Sequence, residues 1–475
     1  MMVQLTAGKF PFKSVFNQFL GALAVNLITI GHGVAVGWVS PFLPYLQSNS
    51  THLASGPVSV EQGSWIGAAL CIGGFFGTPF FGLLASSLGK KRSLQLVAIP
   101  QLAFWLCVYY GTHVYHLYLA RVLAGMGGGG LLRIIPLYIA DIADTKHRGM
   151  LGALLIISMN SGVLICFILG NFLHYHTVPM VAVALPALFI GATCCLPETP
   201  YCLLKSSRTE LAERSLMFYR GIRGHFQKTD QFRQEFEQLK KAVNAESDKT
   251  DGQNRLDWKD FCTKPAKKGL TIGLFLMILN QFSGALAIIT YSATIFNESG
   301  SDLTPNESSI IVALIQLAGT LVSFTLVDNL GRKVLLLIST IGTTLGLFSM
   351  GLFSFLSQQG WDLSSLQSLP IVSLSFTILL TSIGIYPLPY VILAEVLPNK
   401  IRNIGSTIGI TTVSLSAFVI LKLFPVLIEK IHLHGTMWTL SAICVVGTFF
   451  ILFVVPETKG KNLVTNESDT KPDKA

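Results

Sequence analysis

Twelve apolar runs decide what this chain can fold into. They lie at about residues 15–38, 63–85, 93–112, 115–140, 150–173, 179–196, 269–295, 308–328, 334–356, 370–396, 404–428 and 435–455. Roughly 20 helical residues cross a bilayer core, and every run is near that length. Only 12% of the 475 residues are charged, about half of the roughly 25% usual in a soluble domain. The runs are too long, and alternate too little, for the strands of a β-barrel. The expected fold class is an all-α membrane protein with twelve transmembrane helices. Glycine and proline punctuate many runs, which neighbouring helices in a bundle tolerate. Gly67, Gly73, Gly74 and Gly77 mark a face suited to close helix approach.

Charge placement predicts the orientation. The net charge of +9 could point to nucleic acid, but its distribution does not. Lys90, Lys91, Arg92, Lys146, Arg148, Lys267, Lys268, Arg332, Lys333, Lys400, Arg402, Lys459 and Lys461 all fall on one side of an even-numbered topology. The other side carries Glu61, Glu298, Asp302, Glu307, Asp362 and Glu429, with Lys430 nearly alone as a base. Basic loops face the cytoplasm, so both termini are expected there, in an integral, multi-pass protein of the plasma membrane. No cleavable leader is visible, and the first span is expected to serve as the insertion signal. Glycosylation sequons at Asn49, Asn297 and Asn306 fall outside, and a fourth at Asn466 falls in the cytoplasmic tail. The eight cysteines avoid the external loops, which argues against a disulfide framework. Seven external-side histidines, among them His52, His174 and His176, read as ordinary interfacial residues rather than as a metal site.

The chain is also a duplication. "SSLGKKR" and "DNLGRKV" place Leu-Gly before a basic pair, with Gly89 and Gly331 standing 242 residues apart. Arg148 and Arg402 each begin a span after a short turn, 254 residues apart. "PETP" at Pro197 and "PETK" at Pro456 each close a six-span block, 259 residues apart. Three landmarks recur in one order at nearly one offset, so the fold should be two pseudo-symmetric six-helix bundles. Boundaries follow: 1–14 an N-terminal segment, 15–197 the first bundle, 198–268 a cytoplasmic helical loop, 269–456 the second bundle, and 457–475 a tail. Duplicated bundles related by an axis along the membrane normal are a transporter architecture.

The motifs sharpen this. Arg121-Val-Leu-Ala-Gly-Met-Gly-Gly-Gly fits R-x-x-x-G-x-G-x-G, and "DNLGRK" at Asp328–Lys333 fits D-x-x-G-R-K/R. "PLYIAD" followed by Arg148-Gly149, "PETPYCLL", "NQFSGALAIITYS", "PLPYVILAEVLPNKIR" and "PETKGKNL" complete an ordered set across nearly the whole chain. Together they resemble the sugar porter family of the major facilitator superfamily, with the insect trehalose and glucose facilitators nearest in look. The resemblance implies the major facilitator fold and a facilitator of a small neutral sugar working by alternating access. The partners it implies are sugar and membrane lipid, with the protein acting as a monomer and needing no cofactor or metal. Nothing in the bundle reads as a catalytic constellation, so an enzyme is not expected. The alternative is a sugar sensor that cycles little.

Candidate substrate contacts are Asn280, Gln281, Gln316, Tyr291, Tyr390 and the intramembrane Arg133. Amides suit a sugar because they both donate and accept hydrogen bonds. Two positions depart from the family: Ile156 and Leu286 stand where it has amides. A gating network is expected from Asp141, Arg148, Glu198, Asp328, Arg332, Glu395, Arg402 and Glu457. Its first half should be the weaker, because Ser86 and Lys90 replace the family's Asp and Arg. Lys422 is expected to snorkel outward. The first span, "GHGVAVGWVSP" around Val36, has no carboxylate, and His32 is a poor substitute, so transport should be passive.

Overall fold

Matched caps start the second span of each half. Ser59 accepts a hydrogen bond from Gln62 N, Thr304 accepts one from Glu307 N, and in each case the third-position side chain returns the bond, closing a capping box. The computed structural model in which these caps occur describes residues 12–144, 146–222, 230–251, 258–299, 303–398 and 400–458. Every regular element among the described residues is a helix.

The first half contains α1 (Phe12–Gly37) and α2 (Val39–Gln47), which form one bent span, then α3 (Val60–Leu88), α4 (Lys90–Tyr110), α5 (Val114–Ile142) and α6 (Arg148–Phe172). Its sixth span is α7 (Thr177–Ala182) with α8 (Ala184–Cys194). Then come α9 (Pro200–Lys205), α10 (Thr209–Tyr219), α11 (Asp230–Asp251) and α12 (Trp258–Phe261). The second half opens with α13 (Lys264–Phe282), α14 (Ala285–Thr290) and α15 (Ser292–Ser299), followed by α16 (Pro305–Leu330) and α17 (Arg332–Gln358). It ends with α18 (Leu369–Ile383), α19 (Leu388–Val396) and α20 (Arg402–Phe453). Among the described residues, eleven helical stretches are long and apolar enough to cross a membrane. The last runs 50 residues, and non-helical backbone at His432 (φ 59°, ψ 175°) divides it in two. The count is therefore twelve. One end of the bundle carries Lys90, Arg148, Arg332 and Arg402, and is called the basic face. The other carries Asn49, Asn297 and Asn306, and is called the sequon face.

Small residues let helices touch. A Cβ on Gly73 or Gly77 of α3 would strike the α5 backbone at Val122 or Met126. One on Gly129 of α5 would lie 2.6 Å from Gly74 O of α3. Side chains at these positions would force the two helices apart. Gly67 does not join this seam; it faces Tyr291 of the other half.

The duplicated turn has a physical reason. At Gly89 (φ 92°) and Gly331 (φ 88°) the chain reverses from the second span into the third in a conformation that L residues rarely adopt. The first backbone N–H groups of the next helix lack partners there. In the first half, Glu198 Oε1 accepts from Lys91 N at 2.9 Å. In the second, Glu457 accepts from Arg332 N at 3.0 Å and Lys333 N at 3.1 Å. A carboxylate at a helix N-terminus is also favoured by the helix dipole. The lysines answer in kind: Lys91 Nζ donates to Leu196 O, and Lys333 Nζ donates to Leu452 O at 2.8 Å. The "PET" blocks and the "LG" turns are thus two parts of one clasp, made once per half.

α10 and α11 hang from the first half. Arg220 binds Asp144 at 3.1 Å and Glu235 at 2.6 Å, and Gln18 donates to Asp144 at 2.9 Å. Tyr138 and Tyr219 share a hydroxyl hydrogen bond of 2.8 Å.

Gly331→Ala should destabilise the purified protein by roughly 1–3 kcal/mol, the cost of a β-carbon in this backbone region. The added Cβ would also lie 2.9 Å from Glu457 Oε2. A thermal melt in detergent should show the loss, and a smaller effect from Gly360→Ala, where φ is 79° but nothing lies within 4 Å.

Candidate functional site

The two halves meet at the sequon face. Ala293 N of α15 donates to Ser40 Oγ of α2 at 3.1 Å. Tyr291 is buried, donates to Leu421 O at 2.8 Å, stacks on Phe424 at 5.7 Å and lies against Gly67. At mid-membrane, Asn160 Nδ2 of α6 donates to Thr320 Oγ1 of α16 at 2.8 Å. At the basic end of α6, Gly149 and Gly152 face open space.

Asn280 is 2% exposed and holds a break in the tenth span. Its Nδ2 donates to Ile385 O at 2.7 Å and Tyr386 O at 3.0 Å, between α18 and α19. Ser323 serves Ile383 O at 2.7 Å and Ser339 Oγ serves Ile385 N at 3.0 Å, so the unwound stretch keeps its hydrogen bonds. Gln281 Nε2 donates to Asn280 Oδ1, which leaves Gln281 Oε1 buried without a partner. Gln316 Oε1 is buried and unpartnered too. Buried amide oxygens are normally hydrogen-bonded, so these two are atoms that a polar ligand or water would satisfy. Tyr390 keeps 38% of its surface exposed. Arg133 is half-buried, runs past Gly82, and makes no ion pair among the described residues.

Ile156 packs among apolar residues of the first bundle, and Leu286 packs in the core beneath the sequon face. Asn160, one turn beyond Ile156, supplies an amide that sequence reading missed. Residues i and i+4 share a helix face, which is the signal that could have found it. Its acceptor Thr320 donates in turn to Gln316 O at 2.8 Å. Arg121, noted only as a motif residue, is 1% exposed. It donates to Ile66 O at 2.9 Å and to Ala35 O, and no carboxylate pairs with it among the described residues.

At the basic face Lys400 meets Asp260 at 2.8 Å, and each half also has an ion pair between its own spans. Lys90 Nζ meets Asp141 at 2.6 Å, and Arg332 meets Glu395 at 3.4 Å. These are equivalent pairs, each starting from the residue after the clasp glycine. The first is shorter and less exposed, side chains at 12% and 11% against 17% and 31%. The expectation of a weaker first half does not match this geometry: the lysine, which also donates to Leu137 O at 3.2 Å, reaches the carboxylate directly. Glu198 and Glu457 cap helices. Arg148 is exposed and makes no ion pair among the described residues. Arg402 donates to Leu397 O at 3.3 Å and leaves its Nε buried and unpartnered. The Asp328 side chain lies outside the described residues. Asn49 and Asn297 are exposed, and Asn306 is half-buried in the first turn of α16. His52 and His176 rings lie 4.7 Å apart; burial, then the neighbouring His176, hold the His52 pKa below its usual value. No group of three or more possible metal ligands occurs among the described residues.

A family model described as "Sugar (and other) transporter" matches residues 28–469. The chain belongs to that family. Facilitated trehalose transporter Tret1 of Culex quinquefasciatus is 31% identical to it over 451 residues, covering 95% of this chain and 85% of that one. Tret1 of Bombyx mori is 31% identical over 459 residues, covering 95% and 88%. Among solved structures, the inward-open xylose transporter XylE from E. coli superposes with a TM-score of 0.78 at 21% identity, covering 95% of this chain and 99% of that one. Its partially occluded inward-open form gives 0.77 at 21% identity, covering 94% and 100%. The fold is the twelve-span major facilitator fold, and the protein is an integral, multi-pass membrane protein of a transporter family.

The ion pairs of this sugar-transporter fold should differ in weight. Lys90→Met strands a largely buried Asp141, which typically costs roughly 3–5 kcal/mol. Arg332→Met breaks a longer and more exposed pair and should cost less. Thermal melts of the two variants should rank them in that order.

Proposed function

We propose that this chain is a facilitator carrying a small neutral sugar, a hexose or trehalose, through the membrane by alternating access. The observation that carries the reading is the pair of buried amide oxygens, Gln281 Oε1 and Gln316 Oε1, left without partners. Sugar hydroxyls are donors of the kind these atoms lack. Asn280 holds the broken tenth span and orients Gln281, and Asn160 supplies the amide that Ile156 lacks. In this reading the partly exposed Tyr390 and Arg133 belong to the path toward the basic face, and the buried Tyr291 closes the opposite end.

Transport is passive. Proton-coupled transport needs a group that gains and loses a proton with substrate, and Arg121 is satisfied by backbone carbonyls rather than by a titratable carboxylate. The basic face is cytoplasmic, as loop charge requires, and with it both termini. The membrane is the plasma membrane, Asn49, Asn297 and Asn306 carry glycans, and one chain suffices. No catalytic step is involved.

The gate works through the basic-face residues. Asp141, Glu198, Arg332, Glu395 and Glu457 stay within their own halves as clasps. Arg148, which makes no ion pair among the described residues, and Arg402, held only to Leu397 O there, are the groups that engage when that face closes. Exposed ion pairs are worth about 0–1 kcal/mol each, so such a network rearranges without a large barrier.

In proteoliposomes, labelled trehalose and glucose uptake should reach equilibrium and no further, and an imposed pH gradient should leave the plateau unchanged. Proton-driven accumulation above equilibrium would overturn the passive reading. Gln281→Ala should weaken the transported sugar by the worth of one buried hydrogen bond, about 1–3 kcal/mol, and should also lower the melting temperature, because it leaves Asn280 Oδ1 without its donor. If Gln281→Ala binds and transports normally, the sugar lies elsewhere.

A further inference from the structure

Lys422 does not snorkel into water. It sits on α20, in the second half, and reaches across to the first two turns of α3 in the first half. Its Nζ lies 2.9 Å from Ser64 Oγ, 4.5 Å from the Trp65 ring centroid and 3.9 Å from Glu61 Oε1. Ser64 spends its own hydroxyl proton on Glu61 O at 2.7 Å, so its oxygen turns lone pairs toward the ammonium. One turn earlier on α20, Phe418 packs against Trp65, ring centroids 5.9 Å apart. Glu61, Ser64 and Trp65 fall at i, i+3 and i+4, one helix face, and Phe418 and Lys422 at i and i+4 form the matching face of α20. Directly beneath, Gly67 receives Tyr291.

We infer that Lys422 is a positioning residue for transport, a catch that holds the sequon face shut and sets the balance between the two access states. All three of its partners belong to the opposite half. Separating the halves at this face removes them together and leaves the ammonium to water. Glu61 is the minor partner, because its side chain is 78% exposed and its contact is long. The Trp65 face and the Ser64 oxygen are the major ones, a cation–π contact and a charge-assisted hydrogen bond in a partly dry site. The cation is needed for both, so arginine substitutes and a neutral side chain of similar length does not. The catch does not depend on which solute is carried, and its test needs no substrate.

The test is a distance measurement by pulsed electron spin resonance on full-length protein in nanodiscs. Spin labels go on Ser50→Cys and Gln359→Cys, two exposed sites at the sequon face, one on each half, with the native cysteines replaced. In the parent, the short-distance population should dominate. Lys422→Met should move the population toward the long distance by roughly twofold to fivefold, on the order of one partly exposed cation–π contact. Lys422→Arg should restore the parent distribution, which a merely structural defect would not. Glu61→Gln should shift it little. If Lys422→Met does not fold, the Ser64→Ala/Trp65→Leu pair removes the same contacts from the other helix and should give the same shift. Overlapping distributions for the parent and whichever of these variants folds would overturn the inference, as would a shift that Lys422→Arg fails to reverse. A failure to transport any sugar, with the shift present, would count against the substrate reading alone.

Discussion

A hydrocarbon solvent cannot hydrogen-bond a peptide group, and the rest of this molecule is arranged around that fact. Where the helices are continuous the requirement is met internally. Where they break, a polar side chain from another helix must arrive. The break between α18 and α19 is served by Asn280, Ser323 and Ser339 from three different helices. The reversals at Gly89 and Gly331 are served by Glu198 and Glu457 from more than 100 residues away. Arg121 likewise reaches the backbone of two neighbouring helices. Irregular backbone near the centre of the bundle is therefore bound to specific polar residues, and those residues in turn fix the orientation of the ones beside them, as Asn280 does for Gln281.

Duplication gives each half the same solution, and the differences between copies carry information. Each clasp pairs a glycine turn, a "PET" glutamate and a lysine on a carbonyl. The adjoining ion pairs differ: lysine to aspartate in the first half, arginine to glutamate in the second. A shorter acid with a shorter base would be expected to leave a gap. Lys90 closes it by lying along α5, with its ammonium also on Leu137 O and over the Tyr201 ring. The halves are rigidified separately, and among the described residues the interface between them combines polar contacts such as Asn160 to Thr320, Ala293 to Ser40 and Lys422 to Ser64 with close apolar packing. A molecule that must rock needs that division.

Much of this was legible in the sequence. Twelve spans followed from hydropathy, although α20 crosses the eleventh and twelfth as one helical stretch broken only at His432. The two-fold repeat followed from three landmark spacings, and the family from an ordered set of motifs. Asn280 and Gln281 were legible as polar residues worth attention, but their division of labour was not. Both ends of the Asn280 amide are engaged by protein, and only Gln281 is left with a free oxygen. Asn160 was overlooked because position counting from Arg148 stops one turn short of it. Lys422 was misjudged because an isolated lysine in a membrane span ordinarily reaches for water.

What the amino-acid sequence by itself determined was everything set by local composition: the number of spans, the charge asymmetry between faces, the paired turns and the repeat. Each span, turn and charged loop depends on residues within a helix length of one another, and the repeat is read by comparing such local segments. What only the tertiary structure decided was which polar groups meet: Asn160 with Thr320, Arg121 with Ala35 and Ile66, Lys422 with Ser64 and Trp65. Those meetings join residues 55 to 358 positions apart. They depend on the rotation of each helix about its axis, which hydropathy leaves undetermined in a bundle apolar on nearly every face, and which close packing of small residues and satisfaction of backbone groups fix once the helices assemble.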